Sequence, residues 1–141
     1  MDCIRLIKNW SLTQTVVALS SGEAEYYGMV KGSSNALGIK GMLEDVGIDM
    51  RMIVLCTDAA AAKGIANRRG LGKVGHIELC ELWLQSQVAR GRIRVRKIKG
   101  EDNFSDSLTK NASADRIAQT LRHTNQTVTK GRHELMPNVA E

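Results

Sequence analysis

Aromatic residues are scarce in this sequence of 141 residues, where they make up only 4% of the chain. The core must therefore rest on Leu, Ile, Val, Ala and Met. Long hydrophobic runs are also missing, since none approaches the ~18 consecutive apolar residues of a membrane-spanning helix. The first residues include no extended apolar stretch of the kind found in secretory signal peptides. These absences argue against a membrane-spanning or secreted protein.

Cysteine is rare, and its three positions do not show the spacing of metal ligands. Cys3, Cys56 and Cys80 are odd in number, which is not typical of a disulfide framework. We expect reduced, mostly buried thiols, as in an intracellular protein.

The charge of the chain is unbalanced towards basic residues. Its net charge is +5 and its sequence pI is about 9.3. This balance favours an anionic partner, of which nucleic acid is the commonest, although a solvated basic surface without a partner is the alternative. A hydrophobic content of 43% and a charged content of 25% are ordinary for a globular protein, so we expect one compact domain with a single core.

The first third of the chain predicts strands followed by a long helix. Apolar and β-branched residues near the amino terminus favour one or two strands, the better one at 15–19. Ser20 then fits a helix N-cap, with Glu23 reaching back to complete a capping box. The helix should run to about Val46, and Gly47 fits its C-terminal cap.

The middle of the chain predicts two strands joined by helices. Residues 52–57 form a continuous apolar run, which is typical of a central strand buried on both faces. A short helix at 59–66, a basic, glycine-rich loop at 68–73 and a stronger helix at 76–89 separate it from the last strand at 92–98. This order predicts an α/β fold in which helices pack against a sheet and the two strands are parallel.

Helical turns are expected after the last strand, near 103–105 and at 114–121. From His123 onward the sequence is polar and aperiodic, and it contains the only proline, Pro137. We therefore expect one domain over 1–122 and a disordered tail over 123–141.

Three carboxylates lie where predicted elements begin or end: Glu25, Asp58 and Asp106. Glu25 comes four residues before Met29, so it should share the side of the helix that faces the sheet. Glu23 is about 200° away around the helix, so it should act as a cap instead. Asp58 follows the central strand, at the end where open α/β sheets place their sites.

Each carboxylate also has a simpler explanation. Glu25 could be a helix-start acid favoured by the dipole, and Asp106 a plain first-turn acid. Asp58 could be the N-cap of the helix that follows it, which is the favoured reading on local sequence alone. Together, however, converging carboxylates on a basic chain can hold Mg²⁺ beside phosphates. Two such ions about 3.5–4 Å apart can activate water and stabilise the leaving oxygen in phosphodiester cleavage.

The motifs resemble, in order, those of the ribonuclease H domain in copia-type retrotransposon polyproteins. Residues 17–26, Val-Ala-Leu-Ser-Ser-Gly-Glu-Ala-Glu-Tyr, are similar to the family signature ALSS-x-EAEY. Residues 56–58, Cys-Thr-Asp, resemble its C-D-N strand end, and residues 75–78, Gly-His-Ile-Glu, resemble its K-H-I-D/E helix start. Residues 91–98 resemble its G-x-I-x-x-x-x-V strand, and residues 101–110 resemble T-x-D-x-x-A-D-x-L-T-K.

This resemblance covers about residues 6–121 and implies a ribonuclease H-like fold, a mixed sheet flanked by helices. In that family, two Mg²⁺ or Mn²⁺ ions held by four acidic residues cut the RNA strand of an RNA–DNA hybrid. By resemblance, Glu25, Asp58 and Asp106 match the second, third and fourth acids, as catalytic and metal-binding residues.

The first acid of the family has no match in this sequence. It normally lies on the opening strand, whereas Asp2 is the only acid before Glu23 and its surroundings are unlike that strand. We therefore expect a chain that lacks the first strand or strands and is inactive or incomplete, as a fragment of a longer polyprotein or a decayed copy. Ala59, Gly75 and Ser105 also depart from the family motifs, which bears on activity.

Basic residues in the loop and on the last strand are predicted to contact a nucleic-acid backbone: Arg68, Arg69, Lys73, Arg92, Arg94 and Arg96. Such contacts bind phosphates without reading sequence. For the strand arginines, a solvated face protected from edge pairing is an equally good explanation. His76 could be a base or ligand, but we favour a helix-start residue packed against the sheet.

Two functions remain open from the sequence. One is hydrolysis of the RNA strand of RNA–DNA hybrids by two-metal-ion catalysis in the intact form of the domain. The other is a non-catalytic remnant that binds nucleic acid or docks on a reverse transcriptase. The expected partners are RNA–DNA hybrid or other nucleic acid and a reverse transcriptase domain, with no membrane. The expected location is intracellular, in the cytoplasm, a virus-like particle or the nucleus.

Overall fold

The computed structural model describes residues 6–50, 52–72, 77, 82–128 and 131 of the chain. The chain divides into two compact units. The larger unit is Leu12–Asn103, and the smaller one takes the rest, of which 6–11, 104–128 and 131 are described. The predicted boundary at residue 122 stays a prediction, because most of 123–141 lies outside the described residues.

The longest helix, α1, is Ser21–Asp45, as the capping signals predicted. Ser20 is its N-cap, and its hydroxyl accepts a hydrogen bond from the N–H of Glu23 at 3.2 Å. The Glu23 carboxylate reaches back and accepts the N–H of Leu19 at 3.0 Å, one residue before the N-cap itself. Gly47 follows the helix with φ of +83°, the left-handed conformation that glycine adopts readily at this position. Both predicted ends of α1 are therefore confirmed.

Strands β1 (Ile53–Thr57) and β2 (Ile93–Lys97) form a two-stranded parallel sheet. Their register places Ile53 opposite Ile93. Ile93 and Val95 are buried, whereas the residues that alternate with them along β2 are exposed. The parallel pairing and the alternation along the last strand are confirmed.

The connection between the strands contains α2 (Ala60–Asn67) and α3 (Trp83–Ala89). Parallel strands require a crossover of this kind, because the chain must return to the same end of the sheet. The helix predicted at 76–89 is described as α3 only, since 73–76 and 78–81 lie outside the described residues.

The core lies in the larger unit, between α1, the sheet and the crossover helices. Its buried apolar side chains are Tyr26, Tyr27, Met29, Val30, Ala62, Ile65, Ala66, Ile77, Leu84, Ile93 and Val95. Both tyrosines of the chain are in this core, so the few aromatic residues supply much of its volume. Each fully buried side chain of this size contributes about 1.5–3 kcal/mol relative to exposure.

The strand predicted at 15–19 is wrong. The described residues before α1 form no strand, and Val17 and Leu19 are 83% and 71% exposed. β-Branched residues suit a strand only where a neighbouring strand offers hydrogen bonds and side chains to pack against. Within the described ranges β1 pairs with β2 alone, so the sheet there is parallel and not mixed.

β1 is not buried on both faces, contrary to its apolar run. Ile53 and Leu55 pack against the core, but Val54 is 46% exposed and Cys56 is exposed. Among the described residues, helices cover only the face that bears Ile53 and Leu55. The expected burial is therefore wrong for Cys56, which is a free thiol, while Cys3 and Cys80 lie outside the described residues.

The smaller unit contains a 3-10 turn, Phe104–Leu108, and helix α4 (Ala114–His123). The Ser113 hydroxyl caps α4 by accepting the N–H of Arg116 at 3.3 Å. The ring of Phe104 stacks on the imidazole of His123, with ring centroids 4.0 Å apart. The predicted helical turns are thus present, the first of them in 3-10 form. No helix in the described ranges is long and apolar enough to cross a membrane.

Candidate carboxylate site and nucleic-acid interface

The two acids at the start of α1 have the opposite burial from the one predicted. Glu23 is 5% exposed and its carboxylate bonds the backbone before the N-cap, whereas Glu25 is exposed. Tyr26 and Val30 lie near the centre of the buried side, and Glu25 is roughly 120° from that centre at about 100° per residue. Met29 lies at the margin of this buried side. Glu25, four residues earlier, is turned about 40° further from the centre and so falls outside it. Glu25 is therefore accessible to solvent.

Asp58 follows β1 as predicted, but it does not cap α2. The N-cap is Ala59, and the hydroxyl of Thr57 accepts the N–H of Ala59 at 3.1 Å. The Asp58 carboxylate instead lies beside Gly100, because a Cβ added to Gly100 would be 3.6 Å from Oδ2 of Asp58. Gly100 comes shortly after the end of β2, so the carboxylate lies at the carboxyl edge of both parallel strands. This is the edge where α/β sheets build their sites.

Asp106 lies in the smaller unit, within the 3-10 turn Phe104–Leu108. Its Oδ2 accepts a hydrogen bond from Nζ of Lys110 at 2.6 Å. The Lys110 side chain is 67% exposed, so this ion pair contributes little to stability. It nevertheless gives the carboxylate a cationic partner four residues further along the chain.

The three predicted carboxylates are distributed over the two units. Glu25 and Asp58 belong to the larger unit and Asp106 to the smaller one. Within the described parts of the chain, no three His, Cys, Asp or Glu side chains could together hold a metal ion. A hard cation needs several oxygen ligands in a defined geometry. The metal-binding role of Glu25, Asp58 and Asp106 therefore stays a prediction.

The two arginines of the basic loop have different surroundings. Arg69 is exposed, whereas Arg68 is half-buried and its Nη2 donates to the carbonyl of Leu71. The guanidinium of Arg68 is thus folded back onto its own loop. Of these two predicted phosphate contacts, only Arg69 presents an exposed side chain.

The side-chain amide of Gln85 fixes this loop, and the sequence pattern gives no indication of it. Gln85 follows Leu84 on α3 and is 7% exposed. Its Oε1 accepts the N–H of Gly70 at 2.9 Å, and its Nε2 donates to the carbonyls of Gly70 and Ile65 at 3.1 and 2.9 Å. A glutamine on a helix is usually a surface residue, so only the folded structure reveals this role.

The predicted strand arginines are exposed as expected: Arg92, Arg94 and Arg96. Nη1 of Arg92 donates to Oε1 of Gln87 and Nη2 of Arg96 to Sγ of Cys56, both at 3.5 Å. The register sets Cys56 opposite Arg96 and Val54 opposite Arg94, so apolar and basic residues share one open face of the sheet. Lys73 and His76 lie outside the described residues.

The sequence is similar to Pol polyproteins of plant transposons. It is 32% identical over 105 residues to the retrovirus-related Pol polyprotein from transposon RE2 of Arabidopsis thaliana, which covers 72% of this chain and 7% of that protein. The corresponding protein from transposon RE1 of the same plant is 31% identical over 105 residues, with the same two shares. The retrovirus-related Pol polyprotein from transposon TNT 1-94 of Nicotiana tabacum is 29% identical over 101 residues, or 71% of this chain and 8% of that protein.

No family model matches the chain, and no solved structure matches it. The chain spans 7–8% of the length of these polyproteins, so it corresponds to a small part of each. Because the similarity extends over more than two thirds of the chain, this protein is homologous to a region of retrovirus-related Pol polyproteins of plant transposons.

Proposed function

We propose that this chain is the ribonuclease H-type region of a retrotransposon Pol polyprotein and that it binds RNA–DNA hybrid. The observation that carries the proposal is the position of Asp58, at the carboxyl edge of two parallel strands and beside Gly100. Its carboxylate does not cap α2, because the N-cap is Ala59 and no side chain makes a capping hydrogen bond there. The strand-end carboxylate therefore has no structural task at the helix and is available for a site.

Exposed basic residues on the unit that contains Asp58 support a polyanionic partner. Arg69, Arg94 and Arg96 are exposed on the same unit, and the whole chain carries a net charge of +5. Side chains of this kind neutralise backbone phosphates and make binding depend on salt. Similarity to plant Pol polyproteins supports the context of a retrotransposon.

In the intact form of the region, the proposed reaction is hydrolysis of the RNA strand of the hybrid in the presence of Mg²⁺ or Mn²⁺. Glu25, Asp58 and Asp106 are the acidic residues that this chain supplies. Because the first acid of the family has no match in this sequence, we expect cleavage only when a further carboxylate is provided.

A non-catalytic role is the second candidate, in which the chain binds nucleic acid or docks on a reverse transcriptase. The ion pair between Lys110 and Asp106 favours it, since a lysine already neutralises one of the three acids. The two candidates differ in whether the chain cleaves the hybrid and hence in whether Asp58 matters for catalysis.

A cleavage assay distinguishes the catalytic role from the non-catalytic one. An RNA–DNA hybrid with labelled RNA is incubated with Mg²⁺ and either the chain itself or the chain fused behind the segment that precedes the matched region in the RE2 polyprotein. Asp58→Asn is the control in both arms, and binding is followed by fluorescence anisotropy. We expect cleavage by the fusion and its loss in Asp58→Asn.

The other outcomes are equally informative. Cleavage by the unfused chain that Asp58→Asn abolishes would make the chain an enzyme as it stands. Binding without cleavage in both arms would leave the non-catalytic role. Neither binding nor cleavage in either arm would overturn the proposed function.

A further inference from the structure

The basic loop after α2 has a backbone that depends on glycine. Gly70 and Gly72 have φ of +78° and +58°, in the left-handed region that other residues adopt only with strain. The loop therefore turns sharply twice within a few residues of Asn67, where α2 ends. A segment with this much glycine would lose considerable conformational entropy on ordering unless other groups held it in place.

The side chain of Gln85, on α3, holds the basic loop in place. The side-chain amide meets both the N–H and the C=O of Gly70, and a second Nε2 hydrogen bond reaches the carbonyl of Ile65 within α2. The amide thus uses its acceptor and two donors while it is 7% exposed. A buried amide is tolerated when it is fully hydrogen-bonded in this way. Gln85 consequently ties the loop to both α2 and α3.

Arg68 completes the support from within the loop. Its guanidinium donates to the carbonyl of Leu71, and a Cβ added to Gly72 would lie 2.7 Å from its Nη1. Nε of Arg68 is buried and has no hydrogen-bond partner among the described residues. This arginine is therefore part of the packing of the loop, and Arg69 is the one whose side chain is exposed.

We propose that Gln85 is a positioning residue for nucleic-acid binding, because it fixes the backbone of Gly70 so that Arg69 meets a backbone phosphate. The inference rests on the proposed function, since it needs a bound nucleic acid. The physical reason is preorganisation: a loop that is already ordered loses less conformational freedom when its arginine engages a phosphate. Gln85 itself is buried and does not touch the ligand.

The test is a double-mutant cycle on the full chain, with a fluorescein-labelled RNA–DNA hybrid in a KCl series. The slope of log K against log [KCl] is negative, and Arg69→Gln should reduce its magnitude by about one unit, the effect of one lost phosphate contact. Gln85→Leu should reduce the magnitude of the slope by a similar amount. The double variant should bind no more weakly than the single variant with the larger loss of affinity, because both changes remove the same contact.

Hydrogen exchange at the amide of Gly70 supplies a reading that does not depend on binding. It should accelerate in Gln85→Leu, which removes the acceptor of this N–H. It should accelerate less in the isosteric Gln85→Glu, which keeps an acceptor but loses the donors to Gly70 and Ile65. Two controls match these changes: Leu84→Val perturbs the core from the same helix, and Gln119→Leu makes the same chemical change in the smaller unit. Neither control should alter the salt slope.

The outcomes separate this inference from the function on which it rests. Faster exchange at Gly70 with an unchanged salt slope in Gln85→Leu would overturn the positioning role while hybrid binding stands. Additive losses in the double variant would also overturn it, since Gln85 would then act by another route. No binding by the unaltered chain would instead overturn the nucleic-acid proposal, and the inference with it.

Discussion

Gly22 and Ala61 bring the starts of α1 and α2 together, because a Cβ added to Gly22 would lie 2.7 Å from Cβ of Ala61. Two carbons do not pack at that distance, so a side chain at Gly22 must push the helices apart. We expect Gly22→Ala to lower the free energy of unfolding by about 1–3 kcal/mol, as overpacking does elsewhere. Urea denaturation measures the loss.

Gly38→Ala is the matched control on the same helix. A Cβ at Gly38 would meet nothing within 4 Å, and the residue lies inside α1. Alanine there should raise the free energy of unfolding by about 0.5–1 kcal/mol, since it favours the helix without crowding it. A gain of the same size from Gly22→Ala would contradict the contact with Ala61.

Glu23 and Glu25 should contribute unequally to stability. Glu23→Ala removes the buried carboxylate that accepts the N–H of Leu19, so it should lower the free energy of unfolding by about 0.5–2 kcal/mol. Glu25→Ala alters an exposed side chain and should change it by less than about 0.5 kcal/mol. Thermal unfolding of the two variants decides the matter. Equal losses would show that Glu25 also supports the start of α1.

Substitution of Thr57 should destabilise the fold, whereas substitution of the neighbouring Asp58 should not. Thr57→Val keeps the side-chain shape but removes the hydroxyl that accepts the N–H of Ala59, for an expected loss of about 1–3 kcal/mol. Asp58→Asn should change the free energy of unfolding by less than about 0.5 kcal/mol, since the Asp58 side chain makes no capping hydrogen bond at α2. Denaturation curves for both variants provide the comparison. A larger loss in Asp58→Asn than in Thr57→Val would make Asp58 a structural residue.

Arg94 tests whether the open sheet face meets nucleic acid. Arg94→Gln should reduce the magnitude of the negative slope of log K against log [KCl] by about one unit and leave the unfolding curve unchanged. Lys31→Gln, which removes an exposed charge from α1, should leave the slope as it was. Anisotropy titrations with an RNA–DNA hybrid measure both. If the slope of Arg94→Gln stays the same, the strand arginines are a solvated face.

The ends of α1 and the parallel pairing of β1 with β2 were predictable because their causes are close together in the chain. Ser20 and Glu23 bond within the first turn, and Gly47 supplies the left-handed residue directly after the last one. The order of strand, helix and strand requires a crossover and hence parallel strands. Propensity and spacing are sufficient where every partner lies within a few residues or a chain connection forces the answer.

The sequence by itself thus determined α1, α2, the order of the two strands and the position of Asp58 at a strand end. Tertiary structure decided the rest: Glu23 is buried in place of Glu25, residues 15–19 pair with no strand in the described part of the chain, and β1 leaves Val54 exposed. It also decided that Gln85 bonds Gly70 across 15 residues of chain. These outcomes depend on which surfaces meet in three dimensions, because burial and hydrogen-bond partners are set by contacts between distant segments and not by local pattern.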